Sequence, residues 1–213
     1  MDADVVPAVA RYAEEIMGAE GFRYISAVVA NCKMLALEME AQAEEAGEAI
    51  SIDMDALVVA GYLHDISTVE YGFQNHHVKS AEMATEFLRE LDVPEEQIQA
   101  VEQIIRSHVT TVPDVERATV PLEHQVLYDA DKLGRLSGLA VVTSLIEFGA
   151  RYPNRAVSGE VLAAILRHVE ERFIELYQSL YTAPAREMAR EKFNRTVAFL
   201  DGVIEHLSDA TPV

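Results

Sequence analysis

The residues best placed to do chemistry are an adjacent histidine and aspartate, His64 and Asp65, at the end of an apolar run. Seven consecutive residues of usually buried types, 57–63, precede them, and a polar pair, 67–68, follows. Such a run is typical of a helix that is covered on all sides. An imidazole and a carboxylate buried at its end need a compensating partner, and both are ligands for a divalent cation. The alternative is an ordinary capped helix end.

Two further histidines, His77 and His108, lie on either side of a turn predicted at 93–94. They lie 16 residues before Val93 and 15 residues after it. Because a helix rises about 1.5 Å per residue, an antiparallel helical hairpin would bring both side chains level at the end far from the turn. His77 also follows Asp65 by only 12 residues, whereas we interpret its neighbour His76 as a surface residue. The alternative is that His77 and His108 are unrelated surface histidines.

A second carboxylate, Asp131, lies in an apolar helical segment, 127–133. A carboxylate in such surroundings usually has a partner. That partner is either the same cation or Arg135, four residues later, in an ordinary salt bridge. Lys132 could balance the charge of a bound phosphate, or it could be a solvated helix lysine. Glu70, shortly after the His-Asp pair, is a candidate general acid or base.

Helices are predicted to position all of these residues. Apolar residues recur at helical spacing along the chain, glycine and proline are few, and there is no convincing strand and no repeat. The predicted helices cover about 3–18, 20–45, 53–66, 76–91, 94–108, 121–133, 137–150, 158–182 and 184–208. The pattern predicts an all-α, single-domain bundle that closes with two long helices.

The composition restricts the partners of the chain. Half of the 213 residues are hydrophobic, as in a globular protein, and the net charge is −19. That charge argues against duplex nucleic acid held through its phosphates. It does not exclude a small phosphate ester at a metal ion, because the field of the ion dominates locally. The single Cys32, the acidic N-terminus and the absence of a membrane-length apolar run favour a cytoplasmic protein without a membrane partner. The sequence leaves the oligomeric state open.

In this order and at these spacings, the candidate residues resemble the motifs of the HD-domain superfamily of metal-dependent phosphohydrolases. The resemblance covers about 20–136 and rests on His64-Asp65, His77 in HHVKSAEMA, His108 in IIRSHV and Asp131 in DADKL. The stretch 181–189 is similar to the helical tail of a bacterial and archaeal branch of that superfamily. We therefore expect an N-terminal helix at 1–19, an HD core at 20–136 and a C-terminal helical extension of the same domain at 137–213.

The resemblance implies a ligand set and an activity. His64, Asp65 and Asp131 would be metal ligands, and His77 and His108 occupy the places of the two histidines that bind a second ion in some members. The implied cofactor is one or two divalent ions, among which the sequence does not distinguish Mn, Mg, Fe, Ni and Zn. The implied reaction is hydrolysis of a small phosphate ester, with a nucleotide as the leading candidate. In it, Asp65 would bridge the ions or hold the attacking water.

The chain departs from the family pattern at the head of the second helix. The family has a histidine there, followed by Arg at +3 and Val at +4, whereas the stretch 24–28 has Tyr24 in place of the histidine and Ala27 in place of the arginine. A phenol is a poor ligand for Mg²⁺ or Mn²⁺ at neutral pH, since it must lose a proton with a pKa of about 10. An aspartate three residues after the last ligand is also replaced, by Gly134. Two alternatives therefore stay open: a metal-poor, non-catalytic HD-fold binding protein and a di-iron HD-type oxygenase.

Overall fold

The computed structural model describes residues 1–111, 116, 119–154 and 158–209, with side chains up to residue 207. Its helices are α1 (Val5–Ala46), α2 (Met54–Leu63), α3 (Thr68–Tyr71), α4 (His76–Glu90), α5 (Glu95–Ser107), α6 (Leu122–Arg135), α7 (Gly138–Arg151), α8 (Gly159–Ser179) and α9 (Ala183–Asp209). No strand occurs among the described residues, so the predicted all-α class is confirmed. The chain divides into two compact units, 1–131 and 132–213, and the domain boundaries expected at 19/20 and 136/137 stay predictions.

The long helix α1 covers the two helices predicted at 3–18 and 20–45. Gly18 interrupts it with φ 65° and ψ 175°, a conformation that glycine adopts without the steric cost of a Cβ. After this break one face of α1 is buried, and its buried residues are Ile25, Val28, Val29, Cys32, Leu35 and Ala36. These residues form the apolar stripe expected of an amphipathic helix, and α1 packs along α2.

The helix α2 is the central element of the first unit, as the apolar run predicted. Asp53 caps it, because its Oδ1 accepts a hydrogen bond of 3.0 Å from the backbone N–H of Ala56. Its buried residues are Ala56, Leu57, Val58, Val59, Ala60, Gly61 and Leu63, and α1, α4 and α5 pack around it. At Gly61 a Cβ would lie 3.0 Å from Cγ2 of Val29. The packing of α1 against α2 at this position therefore favours glycine.

The predicted hairpin is present, since α4 and α5 pack against each other. Pro94 precedes α5, and Glu95 and Glu96 lie in its first turn, where acidic side chains interact favourably with the helix dipole. The single turn α3 was not predicted; it occupies part of the stretch expected to be a loop before Gly72.

In the second unit, α8 and α9 pack against each other, as expected for two long closing helices. The ring of Phe193 stacks on Tyr177 at 4.1 Å and on Phe173 at 5.5 Å between centroids. α8 ends before Leu180, earlier than predicted, because the chain turns to an extended conformation there. Arg186 stabilises the turn by donating hydrogen bonds to the Leu180 and Tyr181 carbonyls.

Within the described parts of the chain, no single helix is long and apolar enough to cross a membrane. Taken together as a bent pair, α6 and α7 reach that length and apolar content.

Candidate metal centre

The His-Asp pair directly follows α2, at the buried end of the central helix. His64 is 0% exposed and Asp65 is 4% exposed. Nδ1 of His64 lies 2.8 Å from the Gly61 carbonyl oxygen, and since a carbonyl only accepts, this nitrogen carries the proton in the neutral ring. His64 Nε2 therefore carries a lone pair in the neutral ring, and this atom lies 3.5 Å from Asp65 Oδ2.

His108, at the end of α5, joins this pair in the same way. Its Nδ1 lies 2.6 Å from the Ile105 carbonyl oxygen, and its Nε2 lies 3.7 Å from Asp65 Oδ1. One ligand atom each from His64, Asp65 and His108 can be chosen so that all lie within 4.8 Å of one another, and all three residues are buried. The packing of α5 against α2 thus brings together ligands that are far apart in sequence.

The third histidine of the cluster is His76 rather than the expected His77. His76 Nε2 lies 3.2 Å from Asp65 Oδ1 and 3.3 Å from His108 Nε2, while its Nδ1 lies 2.8 Å from the Phe73 carbonyl oxygen. His77 is the next residue of α4, so its side chain is turned by about 100° around the helix axis. Burial and the neighbouring His76 lower its pKa. His76, interpreted from the sequence as a surface residue, therefore takes the place beside Asp65 that was expected for His77.

A buried pair of serines holds His76 in place. Ser67 donates a hydrogen bond from Oγ to the His76 carbonyl at 3.0 Å. Ser80 Oγ donates to Ser67 Oγ at 2.9 Å and accepts from the Ser67 backbone N–H at 3.1 Å. Sequence reasoning missed both serines. Ser80 lies four residues after His76 on α4, which is the spacing of neighbours on one helix face, but this spacing does not distinguish a buried serine from an exposed one.

Asp131 completes the cluster from α6, and Tyr24 on α1 contacts it directly. Asp131 is buried, and its Oδ1 lies 4.0 Å from His64 Nε2. The Tyr24 hydroxyl donates a hydrogen bond of 2.6 Å to the same Oδ1. Nearby, Asn31 Nδ2 donates to the Ala130 carbonyl at 3.3 Å. Two side chains of α1 therefore hold this part of α6.

The remaining candidates lie in different environments. Glu70 is exposed on α3, where hydrogen bonding and charge from its carboxylate raise the pKa of Tyr71. Lys132 follows Asp131 on α6 and is buried. Burial, followed by the charge of Asp131, raises the pKa of the Cys32 thiol. Burial therefore favours the neutral thiol form of Cys32. The proposed catalytic roles of Glu70 and Lys132 stay predictions.

The chemistry of the cluster fits a divalent cation. His64 Nε2 and Asp65 Oδ1 are buried and have no hydrogen-bond partner; the approach of His76 to Asp65 Oδ1 is close but does not form a hydrogen bond. Each such buried group destabilises the fold by about 1–3 kcal/mol. The Nε2 atoms and the carboxylate oxygens are all electron-pair donors, so a single cation compensates several of them at once. In metal-ligating histidines, the ring N–H that does not face the metal usually donates a hydrogen bond to a partner such as a backbone carbonyl.

Solved structures with this fold come from several bacteria. Lin1889 of Listeria innocua is 17% identical and has a TM-score of 0.66 over 97% of this chain and 99% of its own. Bacillus subtilis YpgQ, solved in complex with ADP, is 17% identical and has a TM-score of 0.60 over 97% and 95%. A predicted HD superfamily hydrolase from an uncultured Thermotogales bacterium is 18% identical and has a TM-score of 0.54 over 96% and 92%. At these identities the similarity shows the fold alone.

A comparison with curated protein sequences gave no significant match. The sequence profile of the HD domain matches residues 26–136, more than half of the 213-residue chain. That range contains every candidate ligand of the cluster, from His64 to Asp131. The chain belongs to the HD-domain family, whose members are generally metal-dependent hydrolases of the phosphohydrolase type.

Proposed function

We propose that this protein is a metal-dependent phosphohydrolase that acts on a small phosphate ester, with nucleotides as the first class to test. The observation that carries the proposal is the convergence of three imidazole Nε2 atoms on Asp65. The Nδ1 atom of each ring is hydrogen-bonded to a backbone carbonyl oxygen. This arrangement prepares lone pairs for a cation before any cation binds. Family membership supports the hydrolase class, and the ADP bound by YpgQ supports a nucleotide.

The residues of the cluster divide the work in this proposal. A divalent ion held by them would supply Lewis-acid activation of a water and neutralise phosphoryl charge. Asp65 can bind on both sides, because Oδ2 faces His64 and Oδ1 faces His76 and His108. The His76 side chain is 14% exposed, against 0% and 1% for His64 and His108. The substrate therefore enters from the side of His76.

Two further roles belong to this proposal. Lys132, the neighbour of Asp131, would balance negative charge on the phosphate. Glu70 would exchange a proton with the substrate or the water, from the exposed turn that follows the His-Asp pair. We also propose a cytoplasmic setting, in which Cys32 remains a free thiol.

The test is phosphate release by chelator-treated protein that has been reloaded with one metal at a time. Mn²⁺, Mg²⁺, Zn²⁺, Ni²⁺ and Fe²⁺ would each be assayed against nucleoside mono-, di- and triphosphates and simple phosphate monoesters. We expect hydrolysis with at least one metal, and its loss with a chelator and in Asp65→Ala. Asp55→Ala is the matched control, because Asp55 is exposed on α2 and pairs with the N-terminal amine. Bound metal without phosphate release from any substrate would contradict the proposal, and iron with visible absorption would favour the oxygenase.

A further inference from the structure

The candidate ligands form two groups that share Asp65. The outer group consists of His76 Nε2, His108 Nε2 and Asp65 Oδ1, separated by 3.2 Å to 3.7 Å. The inner group consists of His64 Nε2, Asp65 Oδ2 and Asp131 Oδ1, in which His64 Nε2 lies 3.5 Å from Asp65 and 4.0 Å from Asp131. The outer group thus supplies two imidazole nitrogens and one carboxylate oxygen. The inner group supplies one imidazole nitrogen and two carboxylate oxygens.

Tyr24 contacts the inner group through Asp131. Its hydroxyl donates a 2.6 Å hydrogen bond to Asp131 Oδ1, an inner-group ligand atom. A short hydrogen bond to a carboxylate is a strong one, and it fixes the orientation of the Asp131 side chain. Because the phenol gives its proton to this bond, its own oxygen is not a phenolate ligand. Tyr24 therefore supports a ligand without adding one.

We propose that Tyr24 positions Asp131 as a ligand of the inner group, and that the two groups bind divalent metal unequally. The outer group binds the first ion tightly, and the inner group, to which Tyr24 contributes a hydrogen bond and no ligand atom, binds the second ion weakly. Tyr24 is in this account a positioning residue and not a catalytic one. The inference depends on the metal centre of the proposed function but does not depend on phosphate hydrolysis.

The experiment is a Mn²⁺ titration of chelator-treated full-length protein, followed by the loss of the free-Mn²⁺ electron paramagnetic resonance signal. The wild type is expected to bind in two separated steps. Tyr24→Phe should weaken the second step by about 10-fold, in the range usual for lost support of a ligand. Tyr24→His should tighten the second step by about 10-fold, since an imidazole can ligate directly. The first step should stay unchanged in both variants, because Asp131, the residue that Tyr24 supports, belongs to the inner group.

Tyr12→His is the matched control. It adds a histidine to the same helix at a position where the wild-type Tyr12 ring stacks on Phe87, with 3.8 Å between the ring centroids. Both binding steps should therefore match those of the wild type. Two equal steps in the wild type would overturn the inference, as would a Tyr24→Phe titration identical to that of the wild type. A second step in Tyr24→His no tighter than in Tyr24→Phe would overturn it as well.

The outcomes separate this inference from the proposed function. A wild type that binds Mn²⁺ in two unequal steps but releases no phosphate supports the inference and contradicts the activity. A wild type that binds no Mn²⁺ overturns the inference together with the metal centre. Thermal unfolding of each variant checks folding, and if Tyr24→His does not fold, the comparison of Tyr24→Phe with the wild type decides.

Discussion

His76 Nε2 lies 3.2 Å from Asp65 Oδ1, although His76 begins α4 and Asp65 follows α2. The contact depends on the short connection between them, in which Ser67 donates a hydrogen bond to the His76 carbonyl and Ser80 supports Ser67. The candidate metal centre is therefore formed partly by helix packing and partly by this local turn.

The adjacent histidines of α4 provide a matched pair of variants. His76→Ala should weaken binding of the first metal equivalent by at least about 10-fold, since a lost ligand contact of ~1.4 kcal/mol changes a binding constant tenfold. His77→Ala should bind metal like the wild type, because the side chain of His77 lies about 100° further around α4 than that of His76. Metal titration of the two variants measures the difference. Equal losses in both variants would show that the assignment to His76 is wrong.

Ser80→Ala should destabilise the fold and weaken metal binding together. Removing Oγ leaves the buried Ser67 N–H without its acceptor, which should lower the free energy of unfolding by about 1–3 kcal/mol. Urea unfolding measures this change, and a metal titration reports the loosened position of His76. Thr143→Ala is the control, because Thr143 is exposed on α7 and its hydroxyl bonds the carbonyl of Leu139 in the same helix. If the two variants are equally stable, the serine pair does not hold the turn.

Gly61→Ala and Gly149→Ala should have opposite effects on stability. A Cβ at Gly61 would meet Cγ2 of Val29 at 3.0 Å, and because valine is rigid at χ1, we expect a loss of about 1–3 kcal/mol from overpacking. At Gly149, inside α7, a Cβ meets nothing within 4 Å, so alanine should stabilise the helix by up to about 1 kcal/mol. Urea unfolding of both variants tests the pair. A stabilising Gly61→Ala would contradict the close packing of α1 on α2.

Cys32 should make stability fall at alkaline pH. Burial raises the pKa of its thiol in the folded protein, whereas in the unfolded chain the thiol titrates near its usual value of about 8.5. Above that pH the unfolded chain binds fewer protons than the folded protein, so the free energy of unfolding decreases by up to about 1.4 kcal/mol per pH unit. Urea unfolding between pH 7.5 and 9.5 should show a steeper decrease for the wild type than for Cys32→Ala. Parallel decreases would contradict the burial of the thiol.

The sequence predicted the helices well because their apolar periodicity is strong. The run that ends at His64 became the central helix, and the hairpin of α4 and α5 formed around the predicted turn. The placement of His76 beside Asp65, where His77 was expected, has a simple physical reason: counting residues from a turn locates the level along a helix, but one residue rotates the side chain by about 100°. Periodicity carries no information about such a rotation when two histidines are adjacent.

The contact between Tyr24 and Asp131 was only partly accessible from sequence. The resemblance to the family placed Tyr24 where a ligand is usual, but the hydrogen bond to Asp131 depends on how α1 and α6 pack. The Ser67–Ser80 pair was missed for a related reason, since isolated serines carry no pattern that distinguishes a buried hydrogen bond from an exposed one. The roles of Glu70 and Lys132 remain predictions.

The most direct test of the central claim is the metal content of Asp65→Ala, because Asp65 is the residue that both groups of ligands share. Wild type, Asp65→Ala and the exposed control Asp55→Ala would be equilibrated with Mn²⁺, separated from free ions and measured by elemental analysis, with circular dichroism to confirm the helical fold. We predict bound metal in the wild type and in Asp55→Ala, and none in Asp65→Ala. A folded Asp65→Ala with the metal content of the wild type would contradict the assignment of this cluster as the metal centre.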